Sequence, residues 1–264
     1  MDLGIKGKTA VVTGGSRGIG FAIAQRLLAE GATVAICARN RERLESAERR
    51  LREMGGGPVF ALAADTSERS SREALVDSVL ERTGRIDILV NNAGTHVRAT
   101  VDDMTEEQLQ AQLDDKLFGF FGMIRCVLPH MRAQRDGRIV NIIGQAVRHP
   151  HPDRLPSGIA NAAAQAMTKA VADAVARDNI RVNSVCPQYI ETEIVASVIE
   201  KEMKERNLDR ATAAAGFTRA NVLGRLGTPE EIADVVAYII SDRANFVCGS
   251  SVSVDGGYHR YVFG

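Results

Sequence analysis

The sequence predicts an α/β protein in which a parallel sheet carries helices on both faces. Three observations predict it: seven short apolar runs, helix-length segments between them with apolar residues at i, i+3, i+4 spacing, and a glycine-rich turn straight after the first run. In chain order the runs are "KTAVV" from Lys8, "TVAIC" from Thr33, "PVFAL" from Pro58, "IDILV" from Ile86, "GRIVNII" from Gly137, "RVNSVC" from Arg181 and "SVSV" from Ser251. Most are apolar without alternation, as expected of strands buried on both faces, and regular strand–helix alternation makes neighbouring strands parallel.

After the first run comes "TGGSRGIG", Thr13 to Gly20, opening directly into a helix. Gly14, Gly18 and Gly20 remove side chains where the chain must turn and a pyrophosphate must come close, while the helix N-terminus offers amide donors. The alternative is a plain tight turn, but the strand–turn–helix context favours a dinucleotide site. The second run ends "AICARNRERL", with no Asp or Glu to accept from a ribose 2′-hydroxyl. Arg39 stands there instead, and Arg17 lies within the glycine turn. Two guanidiniums suit a 2′-phosphate, so NADP(H) is expected over NAD(H), the alternative being that both are surface residues.

Further along, "TEEQ" predicts a capped helix start at Thr105 with Gln108 reaching back, and "TPEE" does the same with Thr228 and Glu231. "RHPHPDRLP", Arg148 to Pro156, reads as a loop. Residues 193–220 are charged and then Ala-rich, and read as a helix followed by a lid. No repeat or linker divides the chain, so residues 1–264 are expected to form a single domain.

Composition narrows the function. Lys+Arg and Asp+Glu balance at 33 each, which gives no field for nucleic acid or an anionic membrane and points to a small-molecule substrate or another copy of the chain. Cys37, Cys126, Cys186 and Cys248 are far apart in sequence and are expected to be buried, reduced residues rather than disulfides or metal ligands. The first twelve residues show no basic stretch leading into an apolar core, and no apolar run is long enough to span a bilayer; the expectation is a cytoplasmic protein.

Together with "NNAG" at Asn91–Gly94 and "GRLGTPEEIADVVAYIISDRANFVCGSSVSVDGG" near the end, the glycine turn makes the chain resemble the short-chain dehydrogenase/reductase family, from Gly7 to Gly257. The resemblance implies a doubly wound, seven-stranded Rossmann sheet, an NAD(P) site along its carboxyl edge and a homodimer or homotetramer. It implies that Ser16 and Ile19 in the turn, Asp65 and Thr66 at the adenine, Asn91, Ala93 and Gly94 at the ribose, and Pro187, Ile190 and Thr192 at the nicotinamide contact the cofactor. Gln188 stands where the family usually has glycine.

The same resemblance assigns the family's Asn, Ser, Tyr and Lys chemistry to four positions here. "GRIVNII" places the serine position at Gly144; the usual spacing then leads to Ser157 for tyrosine and, four residues on, Asn161 for lysine. The asparagine position, in "AQLDDKLFGFF", falls on Lys116. A phenol titrating near ~10 needs a cationic neighbour to work near neutrality; a serine hydroxyl with no cation at 161 does not replace it. Asn161 can still hold a ribose hydroxyl. Substitute proton donors are Lys116, Tyr189, His96, His149 and His151. His149, His151 and Asp153 alternate, but no metal is expected in that Pro-rich loop. The expected function is hydride transfer to or from a small carbonyl or alcohol with a non-standard proton donor. The alternative is a non-redox lyase or isomerase, or a catalytically silent nucleotide-binding protein on the same scaffold.

Overall fold

A computed structural model describes residues 1–95, 97–219 and 221–260. Seven strands form one parallel sheet: β1 (Thr9–Thr13), β2 (Thr33–Ala38), β3 (Val59–Ala63), β4 (Ile88–Asn91), β5 (Gly137–Ile142), β6 (Ile180–Pro187) and β7 (Ser251–Val254). Their order is β3-β2-β1-β4-β5-β6-β7; the seven strands and the doubly wound parallel sheet match the apolar runs and the resemblance. The chain moves outward from β1 through β2 to β3, then crosses back to place β4 on the other side of β1. That reversal opens a crevice at the carboxyl ends of β1 and β4, where α/β folds bind ligands.

The helices are α1 (Gly18–Ala29), α2 (Arg41–Met54), α3 (Arg69–Thr83), α4 (Glu106–Leu113), α5 (Gly119–Gln134), α6 (Leu155–Val175), α7 (Glu193–Arg206), α8 (Arg210–Thr218) and α9 (Pro229–Ile240). Side chains alternate across each central strand. Ala10, Val12, Val34 and Ile36 meet Leu27 of α1, Leu44 of α2 and Val236 of α9 in one core. Val11, Ala35 and Cys37 meet Val79 of α3, Val127 of α5 and Val175 of α6 in the other. Both faces of β1 and β2 are therefore apolar, which is why those runs lack a polar alternation.

Both capping boxes form: Thr105 accepts from the Gln108 amide while Gln108 accepts from Thr105, and Thr228 and Glu231 do the same. Between α4 and α5 the backbone passes through a π-helical turn, Asp114–Phe118. The segment expected as helix and lid is two helices, α7 and α8. Three readings need correction. Helix α6 begins at Leu155 and takes Leu155 and Pro156 from the expected loop, since proline is tolerated in the first turn. Strand β7, at the sheet edge, is only partly buried. Only Cys37 and Cys186 are buried, whereas Cys126 is half-buried and Cys248 exposed.

Candidate functional site

The site starts at the glycine turn. Gly14 and Gly18 have φ of 66° and 53°, a conformation that glycine adopts freely. A side-chain carbon on Gly20 would lie 2.3 Å from the Gly14 carbonyl oxygen, so the turn folds tightly against the first turn of α1. Arg17, the residue before α1, is extended and contributes no side-chain cap, and no acidic residue occupies the first helical turn. The helix N-terminus is thus set up for an anion. The loop after β4 is pinned on this turn: Asn92 donates through Nδ2 to the carbonyls of Thr13 and Gly14 at 3.0 and 3.2 Å, and its amide donates to Thr13 Oγ1 at 2.9 Å.

Two adjoining clefts meet at Gly14, Ser16, Arg17, Ala93 and Gly94. One, of about 190 Å³, runs past Arg39, Asn40 and Arg43 to Asp65, Thr66 and Asp115. The other, of about 220 Å³, runs past Gly18, Ile19 and Asn92 to Thr192, Glu193 and Ile194. Burial alone would raise the Asp65 carboxyl, but hydrogen bonds from Ser67 and the charges of Arg39 and Arg72 hold it below the usual range. Arg17 Nη1 lies 3.2 Å from Glu193 Oε2, and Arg39 Nη1 3.9 Å from Asp115 Oδ1.

Most of the expected cofactor residues therefore line one continuous crevice. Five do not. Gly20 is buried in the first turn of α1. Asn91 is buried and spends its amide on Asn141 Oδ1 at 2.9 Å. Pro187 closes the buried strand β6, and Ile190 packs in the core with α9. Asn161 is turned away towards the end of β5. Sequence reasoning missed Arg43 and Asn92. Arg43 is visible only as one of several arginines in "RNRER", until Asn40 caps α2 and fixes its start at Arg41.

The four positions the resemblance assigns to chemistry lie at the carboxyl end of β5. Lys116, on the π-helical turn, donates through Nζ to the Ile142 carbonyl at 2.8 Å and sits 4.8 Å from the Phe120 ring centre. Its stem runs beneath Gly94. Burial draws the Lys116 ammonium down to about 8, against the opposing charge of Asp115. The Gly144 amide donates to Asn161 Oδ1 at 3.0 Å, and Asn161 Nδ2 donates to the Ser157 carbonyl at 2.7 Å. Ser157 Oγ lies 2.7 Å from Gln112 Oε1 and 3.2 Å from the Val97 carbonyl. Gln112, which the sequence does not single out, also donates to Thr95 and so ties α4 and α6 to the β4 loop.

The other candidates are placed apart from these four. Tyr189 has φ of 51°, stands edge-on to Phe217 and Tyr258, and receives Arg154 Nη2 at 3.2 Å. The left-handed residue of the loop is therefore Tyr189 rather than Gln188, which lines a separate small pocket beside Asn221. His149 packs edge-on against Tyr258, and His151 pairs with Asp153. His96 lies outside the described residues. Among the described residues, no group of three His, Cys, Asp or Glu is placed to hold a metal ion, and no helix is long and apolar enough to cross a membrane.

A crossover crevice carrying a glycine turn, a helix N-terminus and a cationic adenosine end defines a dinucleotide-binding α/β protein. The family model described as enoyl-(acyl carrier protein) reductase matches residues 14–259. The chain is 34% identical to the 3-oxoacyl-acyl-carrier-protein reductase of Thermotoga maritima over 255 residues, 96% of this chain and 98% of that protein. It is 38% identical to the acetoacetyl-CoA reductase of Rhizobium meliloti over 256 residues, 96% and 98% of the two. The L-sorbose reductase of Gluconobacter frateurii, solved with NADPH and L-sorbose, superposes with a TM-score of 0.96 at 33% identity, covering 99% of this chain and all of that one. The chain belongs to the short-chain dehydrogenase/reductase family.

Proposed function

We propose that the protein is an NADP(H)-dependent oxidoreductase acting on a small carbonyl or alcohol, with Lys116 in place of the family's tyrosine as proton donor. The observation that carries the cofactor half is the cleft bringing Arg17, Arg39 and Arg43 together past the end of β2, which itself ends without a carboxylate for a ribose hydroxyl, Asp65 and Asp115 lying further along the cleft. A bound nicotinamide supplies the hydride; the chain must supply a proton to the developing alkoxide. Support for Lys116 is its amine beside Gly94, which borders both clefts, with one carbonyl partner and an affinity for its proton matched to neutral pH. The three relatives named above are called reductases, of 3-oxoacyl, acetoacetyl and sorbose substrates, which favours the carbonyl direction. The proposal includes self-association, supported by Phe118 at the end of the π-helical turn and Phe121 in the first turn of α5, which are 49% and 42% exposed and line the same cleft.

A second reading, a nucleotide-binding protein without catalysis, draws on the internal hydrogen bonds of Ser157 and Asn161, which engage both side chains within the fold. One experiment separates the two. NADPH and NADH are titrated by fluorescence, then a ketone panel is assayed from pH 6 to 10 with the parent chain and Lys116→Met. Charge-assisted contacts of ~1.5–3 kcal/mol predict NADPH tighter than NADH by about tenfold or more. A proton donor at 116 predicts a reductase rate that falls as pH rises through about 8 and is lost in Lys116→Met. Cofactor binding with no turnover of any ketone would leave the second reading.

A further inference from the structure

A third cleft, of about 250 Å³, lies under the covering segment and is lined by Arg98, His151, Arg154, Tyr189, Arg206 and Phe217 among others. Its volume equals that of roughly eight waters at ~30 Å³ each, the size of a small metabolite. Three separate stretches of chain bring charge to it, the β4 loop, the loop before α6 and α7, and the β6 loop adds the Tyr189 ring.

The charges do not cancel. Asp153 is shared by Arg98, by His151 and, at 3.7 Å, by Arg154 Nε, while Glu202 pairs with Arg206 at 3.2 Å. Three guanidiniums thus face two carboxylates even with His151 counted as neutral. Arg154 is the most enclosed of the three, its side chain 17% exposed and its guanidinium 5.4 Å from the Tyr189 ring centre. Its buried Nε has no hydrogen-bond partner among the described residues, and a buried donor left so is costly. It also immediately precedes α6, whose first turn carries no acidic residue, so the positive end of a 21-residue helix adds to the same field.

We propose that this cleft receives the carboxylate of a small keto acid or hydroxy acid, so that the substrate is an anion. The carboxylate would lie against Arg154 and Arg206, with Phe217 and the Tyr189 ring closing over the apolar part of the molecule. The choice of a keto group rests on the oxidoreductase reading above; the anion site does not.

The test uses matched pairs: 3-oxobutanoate, 4-oxopentanoate and phenylglyoxylate, each beside its methyl ester. Each is measured against the NADPH-loaded chain, both by calorimetric binding and by turnover. At least one acid is expected to bind tenfold or more tighter than its ester, with the preference shrinking as salt is raised. Arg206→Gln, a change at an exposed side chain, should reduce that preference severalfold, Arg206→Lys should retain part of it, and Arg154→Gln should remove it. Acid binding without turnover would overturn the oxidoreductase reading and leave the anion site standing. Esters reduced as well as acids, with no acid preferred in binding, would overturn the anion site and leave the oxidoreductase reading. Absence of binding by every acid overturns the anion site as well.

Discussion

Lys116 shows how much a single residue can say once its surroundings are known. Its ammonium is held at about 8, below the usual lysine range, because burial removes water from the charge. The charged form is therefore penalised in the folded chain below pH 8, and the penalty disappears as pH rises from about 8 to the unfolded value. Lys116→Met is expected to stabilise the fold by about 1–3 kcal/mol at pH 7 and by clearly less at pH 10, as read by urea unfolding at both. The arginines make a parallel case. Arg39→Ala combined with Arg43→Ala should weaken NADPH by roughly tenfold or more while leaving NADH within about twofold, measured by fluorescence titration. Arg17 and Arg39 were legible because each sits beside a motif with a known physical purpose. Arg43 and Asn92 were not, because their roles depend on where a helix starts and which of two adjacent asparagines faces the turn.

At the scale of elements, the strands and helices were largely visible in the sequence because hydrophobic period and capping agreed. The seven runs became seven strands, and both capping boxes formed as their residue types require. Thr228→Ala removes the hydroxyl that accepts from Glu231 and is expected to cost about 1 kcal/mol, a loss seen as a lower urea midpoint with unchanged slope. What the sequence hid was irregular: the π-helical turn that carries Lys116, and the left-handed backbone at Tyr189. Neither follows from local propensity, and Tyr189 is held there by Arg154, Phe217 and Tyr258, from three distant parts of the chain. The site was half legible for the same reason. Register placed Lys116, Gly144, Ser157 and Asn161 together at the end of β5, but Gln112, which joins Ser157 to the β4 loop, comes into reach only through tertiary packing.

For the whole molecule, the reversal of strand order between β1 and β4 places one crevice at the sheet's carboxyl edge, and the start of α7 lies against the part of it that runs past Gly18 and Asn92. The balanced total charge leaves steering to local patches, so the proposed preference for an anionic substrate rests on the third cleft and should weaken with salt. The proposed self-association near the start of α5 makes a direct forecast. Phe121→Glu places a charge on an exposed aromatic face and should lower the sedimentation mass without changing the far-ultraviolet circular dichroism.

The contact between Arg17 and Glu193 joins the glycine turn to the first residue of α7. A 2′-phosphate bound as proposed would claim the same guanidinium, so nucleotide and helix would be rivals for one charge. By linkage, whatever the nucleotide gains from Arg17, α7 gives up as anchorage. Because the pair is exposed and worth at most ~1 kcal/mol, the exchange is a modest one. Glu193→Gln should tighten NADPH by no more than about fivefold, and it should speed amide hydrogen exchange in α7 of the nucleotide-free chain while leaving the loaded chain nearly unchanged.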